Sequence, residues 1–171
     1  MRSILPTETR RNPWAMGALL SLVSVSAAIV TFGLLVLLIG REGIGPSAGA
    51  EILARPEPWL FLLAVLVIPA IETVVAQLVL IELLRWIRTP ATLCVVVSAA
   101  VFGLGHYVNG GLGHGVVSFV AGLVFSYGYL AQRAESLGNA YACAWCTHAC
   151  HNFIFLYMVM PALPFFRVYA Q

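Results

Sequence analysis

The sequence predicts an all-α membrane protein, a polytopic bundle of about five transmembrane helices. Two compositional facts and one pattern carry this. Of 171 residues, 61% are hydrophobic and only 9% are charged, whereas a soluble domain carries about 25% charged residues. Mean hydropathy is +0.94. The apolar residues fall into runs of roughly 20, the length that crosses a bilayer as a helix.

The first run extends from about Trp14 to Gly40, behind a short arm carrying Arg2, Arg10 and Arg11. It is too long for a typical signal-peptide core and no small-residue cleavage site closes it, so it reads as a retained helix. Arg41 to Pro58 is a polar loop with the turn formers Gly45 and Pro46. The second span runs from about Trp59 to Trp86 and contains Pro69, which removes a backbone hydrogen bond and predicts a kink. Thr89-Pro90 reads as N-cap and first residue of a third span lasting to about Tyr107. Asn109-Gly110-Gly111 makes a tight connection. The fourth span covers about Gly115 to Leu130, and the fifth about Leu137 to Met160, ending at Pro161.

Arginine positions set the orientation. Arg2, Arg10, Arg11, Arg85, Arg88 and Arg133 lie on one side, against Arg41, Arg55 and Arg167 on the other. The positive-inside rule then puts the N-terminus in the cytoplasm and the C-terminus outside. Residues 1–171 are read as a single integral membrane domain.

What the chain lacks narrows its chemistry. Every basic residue is Arg and every acidic residue is Glu. Lysine Schiff bases, Ser–Lys dyads and paired-aspartate mechanisms are thereby excluded. The net charge of +2 is scattered, which leaves no footprint for nucleic acid.

An ionisable residue in a span costs about 2.5–3.5 kcal/mol on insertion scales and so asks for a reason. Glu82 has Arg85 three residues on and reads as an interfacial ion pair. Glu72, mid-span, has no Arg within a helical turn, and its carboxyl is available for proton transfer. His106 closes the sequence Phe102-Gly-Leu-Gly-His106, and the fifth span carries His148-Ala-Cys-His-Asn152. At about 100° per residue, His148 and Asn152 share a face, with His151 to one side and the cysteines opposite. One membrane histidine is often only an interhelical hydrogen-bond partner. Three spans each bringing a costly polar group form an inventory for activating water and stabilising an oxyanion. Straight helices would leave His106 and Glu72 up to ~15 Å apart in depth. Tilt, the Pro69 kink or a later start of the second helix has to close that gap.

Other patterns carry less. Gly45-Pro46-Ser47-Ala48-Gly49 matches G-x-S-x-G but lies in a polar loop without the strand–turn–helix that gives it meaning. There is no His-Glu-x-x-His, and Cys143-x-x-Cys146 is not followed by His, so neither a zinc-protease helix nor a c-type haem site is present. The cysteines read as small apolar packing residues, with a zinc site of Cys143, Cys146 and His151 a minor alternative.

Taken in order, Glu72-Thr73-Val-Val-Ala-Gln77, Phe102-Gly-Leu-Gly-His106 and His148-Ala-Cys-His-Asn152 resemble the motifs E-E-x-x-x-R, F-x-x-x-H and H-x-x-x-N. These belong to the CAAX protease and bacteriocin-processing (CPBP, or Abi) family of intramembrane glutamic endopeptidases. The resemblance covers about residues 59–160, the bundle it makes catalytic. It implies that Glu72 and His106 activate water, that His148 and Asn152 hold the oxyanion, and that no metal or cofactor is needed. Thr73 and Gln77 stand where the family has Glu and Arg, in what look like supporting positions, and can hydrogen-bond without charge. The implied partners are the lipid bilayer and a membrane-associated or exported protein substrate, in a prokaryotic cytoplasmic membrane. Competing readings are a b-type haem held by His106 and His148, a metal bound by Glu72, His106 and His148, and a catalytically weakened immunity or interaction protein.

Overall fold

The computed structural model describes residues 12–45 and 56–162. Among them there is no strand, and the chain forms four helices. These are α1 (Pro13–Ile44), α2 (Phe61–Trp86), α3 (Ala91–Arg133) and α4 (residues 137–162). By length and apolarity α1, α2 and α3 can each cross a membrane. α4 packs antiparallel to α2, with Tyr141 reaching the Ala70 carbonyl at one level and Tyr157 the Glu57 carboxylate at another. The protein is an integral membrane helical bundle, as the composition predicts. Arg2, Arg10, Arg11, Arg55, Arg167 and the Ser47 pattern lie outside the described residues.

α1 begins where the Asn12 side chain accepts from the amides of Trp14 and Ala15, ahead of Pro13. Small residues, Gly17, Ser21, Ser24 and Ala28, dominate the N-terminal part of its buried stripe, which continues through Phe32, as expected where lipid supplies no hydrophobic drive and helices associate by close approach. Leu19, Leu22, Leu37 and Leu38 face outward.

α3 departs from the expected loop between two spans. The helix runs unbroken to Gly110, turns at Gly111 (φ 74°, ψ −172°) and resumes at once. Only glycine adopts that backbone readily, so one residue does what Asn109-Gly110-Gly111 were expected to share. The two arms fold back on each other closely. A Cβ on Gly103 would stand 2.7 Å from the Phe119 Cβ, and one on Gly115 would stand 2.6 Å from the Tyr107 Cβ. At 1.5 Å per residue, the 43 residues of α3 span about 65 Å, enough to cross twice. The sequence predicts five spans; three of the described helices are long and apolar enough to cross, one of them folded back on itself, and α4 is less apolar than these. At the start of α3 the expected cap shifts by one residue. Pro90 is the N-cap and Thr89 makes no capping bond.

Three apolar clusters stack along the bundle. Ile81, Cys94, Tyr129, Ala140 and Ala144 fill one end, and Phe32 and Ile44 pack with Val117, Phe155 and Val159 at the other. Between them lie Ala76, Phe102, Ala121 and Phe125, against which the polar site is built.

Glu82 finds a stronger partner than the local one expected for it. Arg133 grips its carboxylate with Nε at 2.7 Å and Nη2 at 3.0 Å, and the Tyr129 hydroxyl donates to it at 3.0 Å. Arg85 stands off at 3.6 Å. The C-terminal ends of α2 and α3 are thus tied by a forked, charge-assisted contact.

Candidate active site

α2 is wound unevenly around Glu72. Phe61–Val67 and Thr73–Val79 are π-helical, with an α-helical turn, Ile68–Glu72, between them. The Ile68 amide bonds the Leu63 carbonyl five residues back. The next such bond would run from residue 69 to Ala64, but Pro69 has no N–H to give. Asn152 supplies it instead, its Nδ2 donating to the Ala64 carbonyl at 2.8 Å. Other side chains reach the α2 backbone likewise. Trp145 donates to Leu66, Tyr141 to Ala70 and Ser98 to Ala76. π-helical segments recur at functional sites, and here they bracket Glu72, a mid-span carboxyl whose ionic neighbours among the described residues are imidazoles and not Arg.

Glu72 lies between two imidazoles brought by two other helices. Its Oε1 is 3.9 Å from His106 Nε2 and its Oε2 is 3.6 Å from His148 Nε2. These separations exceed direct hydrogen bonds. The three groups converge without using up each other's bonding capacity. The expected depth gap is closed because α3 continues as helix beyond His106, which therefore sits inside an arm and not at its end.

The His106 tautomer is set by its neighbours. Nδ1 lies 2.9 Å from the Phe102 carbonyl, which can only accept, so Nδ1 carries the proton. In the neutral ring Nε2 then presents a lone pair toward Glu72. Phe102 has a second part in the site. Its ring centroid is 4.4 Å from that of His106 and 5.3 Å from that of His148. The F-x-x-x-H spacing thus sets an aromatic wall between the two imidazoles. On its other face His148 stacks against Phe125 at 4.5 Å. Side-chain exposure is 32% for Glu72 and 22% for His106, against 3% for His148. The carboxyl and the first imidazole are reachable from outside, while the second is the inner wall.

The other residues singled out in the sequence, Asn152 as an oxyanion donor and Thr73 and Gln77 as supports among them, behave differently from one another. Asn152 lies one turn beyond His148 on α4, but one of its two N–H groups is committed to Ala64. Thr73 and Gln77 are fully buried, and Thr73 Oγ1 and both polar atoms of Gln77 have no hydrogen-bond partner. The resemblance places them where that family has a charged pair, and neither side chain bonds there. His151 turns away toward α1, its Nδ1 2.8 Å from the buried Ser24 hydroxyl. Cys143 packs beside Gly128, while Cys146 lies 3.5 Å from the Trp14 carbonyl and 3.9 Å from Cys150. The three residues of the alternative zinc site are thus engaged with separate neighbours.

One residue near the site escaped the sequence reading. His114, on the second arm of α3, has its ring 5.0 Å from that of His106, tilted by 30°. Its sequence neighbours, Gly113 and Gly115, carry no motif. Only the reversal at Gly111 signals that a histidine three residues past it will oppose one five residues before it.

A family model described as Rce1-like, type II CAAX prenyl endopeptidase, matches residues 54–154. That is more than half of the chain, and includes all of α2 and α3 with most of α4. No curated protein and no solved structure gives a significant match.

Proposed function

The chain belongs to the Rce1-like family of type II CAAX prenyl endopeptidases, and we propose from that premise that it hydrolyses a peptide bond of a membrane-associated protein, using water activated by Glu72 and His106. The observation that carries this reading is the placing of one carboxyl between two imidazoles at 3.9 and 3.6 Å, each from a different helix.

In this reading a water molecule donates one O–H to the Glu72 carboxylate and the other to the Nε2 lone pair of His106. As its oxygen bonds the scissile carbonyl carbon, one proton passes to Glu72. Charge moves to the carbonyl oxygen, where His148 Nε2–H and the uncommitted N–H of Asn152 donate to it. One such donor is worth roughly 10²–10³ in rate in comparable sites. The tetrahedral species then expels the amine, which takes the proton from Glu72. The C–N bond breaks, acid and amine are released, and the carboxylate is restored. No covalent enzyme intermediate is formed. The Asn152–Ala64 bond fixes the amide and keeps α4 in register with α2. Thr73 and Gln77, on the same helix as Glu72, support it by packing. Residues 59–160 are then the catalytic bundle, preceded by α1.

The test is Glu72→Gln, assayed in proteoliposomes on a prenylated peptide ending in a CAAX sequence and labelled across the scissile bond. The amide keeps shape and loses the base, so turnover should fall by about 10²–10⁴, with thermal stability held or raised because a membrane carboxyl is costly. Wild-type turnover should withstand chelators. Near-normal turnover of Glu72→Gln removes the glutamate from the mechanism. Chelator inhibition, with one metal per chain lost in Glu72→Gln, replaces the reading with a metal-dependent one. A Soret band from the purified protein replaces it with a haem protein.

A further inference from the structure

We infer that His114 is a positioning residue for His106, holding that imidazole at the angle from which Nε2 faces Glu72. The inference rests on the proposed role of His106 in activating water.

His106 is one of the more exposed members of the site, with 22% of its side chain accessible. A histidine ring there has two torsions to lose, and its hydrogen bond to the Phe102 carbonyl fixes only one edge. A hydrogen bond at Nδ1 leaves the ring free to rock about the line through that bond. Ring contacts on either side stop the rocking. Phe102 gives one, with ring centroids 4.4 Å apart at 52°. His114 gives another, at 5.0 Å and 30°, closer to parallel than Phe102. Aromatic rings at such separations prefer defined orientations.

The fold places this contact by unusual means. His106 and His114 face each other because the chain reverses at Gly111 with no intervening loop. The second arm is braced just there. Gly113, beside His114, has no room for a Cβ because Ile44 of α1 packs onto it. Ile44 is itself buried, beyond the break in α1 at Gly40. A ring mounted on a braced arm is a firm stop for a ring on the opposite arm. Since the contact is ring against ring, tilted by 30°, what matters at position 114 is a flat ring and not its protons.

Three variants at position 114 separate this from alternatives, with kcat and KM measured on the prenylated peptide in proteoliposomes. His114→Ala and His114→Leu should lower kcat by about 10–100-fold, the scale of a ~1 Å misplacement, with KM changed less than about threefold. Leu keeps the volume that Ala loses, so a folding failure of the Ala variant leaves the test intact. His114→Phe restores a flat ring without a titratable nitrogen and should return kcat to within about threefold of wild type. If Ala and Leu both match wild type, the positioning role is overturned. If Phe is as poor as Leu, the imidazole chemistry matters and the role is likewise overturned. His106→Ala, run beside them, tells the two levels apart. Normal turnover there sinks the mechanism assigned to His106, whereas its loss alongside unaffected His114 variants sinks only the positioning role.

Discussion

Gly115→Ala should disable the site by parting the two arms of α3. A Cβ on Gly115 would lie 2.6 Å from the Tyr107 Cβ, 3.0 Å from its Cα and 3.2 Å from the Gly103 carbonyl oxygen. Carbon atoms rest at about 3.5–4.0 Å, so the arms must separate by roughly 1 Å. The obstacles are backbone and Cβ atoms, which no rotamer change moves. Overpacking of this kind costs about 1–3 kcal/mol. The displacement falls where it matters, because Tyr107 is next to His106 and Gly115 is next to His114. A 1 Å error in a reacting geometry can cost about 10²-fold. Turnover of the prenylated peptide should therefore drop by about 10–100-fold, with a lower Tm in detergent. Gly105→Ala is the matched control, since nothing lies within 4 Å of its added Cβ, and it should behave as wild type. Gly115→Ala with unchanged turnover and Tm, or a Gly105→Ala equally damaged, would refute the close approach of the arms as the cause.

Two further expectations concern stability. Arg133→Ala should lower Tm more than Arg85→Ala, because Arg133 makes two short bonds to Glu82 and Arg85 stands at 3.6 Å. The difference should be near 1 kcal/mol for so exposed a pair, and equal effects in a thermal scan would count against the fork. Ser24→Ala leaves His151 Nδ1 without its 2.8 Å partner in a buried setting, a loss of about 1–3 kcal/mol. Reversible unfolding that is unchanged in Ser24→Ala would show that bond to be idle.

The parts of this molecule that were legible in its sequence are those governed by the cost of lipid. Apolar runs mark the long helices, and Glu72, His106 and His148 stand out because a polar group in hydrocarbon needs a purpose. Motif spacing then linked them. What could not be read is what depends on one residue's backbone or on distant pairing. Gly111 looks like any loop glycine until its φ of 74° is known. The Asn152 amide is drawn to Ala64 because Pro69 withholds a donor, a relation that requires α2 and α4 to be adjacent. Glu82 has an adequate partner three residues away, and nothing local announces Arg133. Thr73 and Gln77 could have bonded anywhere by type, yet are buried without partners.

The borrowed donors of α2 also impose an order on biogenesis. Synthesis runs one way, so α2 enters the bilayer before Ser98, Tyr141, Trp145 or Asn152 has been made. In the folded chain four of its carbonyls accept from those residues. An unpaired carbonyl in hydrocarbon costs several kcal/mol, so the nascent helix closes as many as it can with its own amides, in the commoner α register. Each later change from four-residue to five-residue bonding slips the helix by one residue, turning its C-terminal remainder by about 100°. Glu72 lies beyond the first π-helical stretch. If the first stretch forms in the α register, Glu72 is turned by about one residue's rotation from its final bearing until α4 brings Trp145 and Asn152 to it.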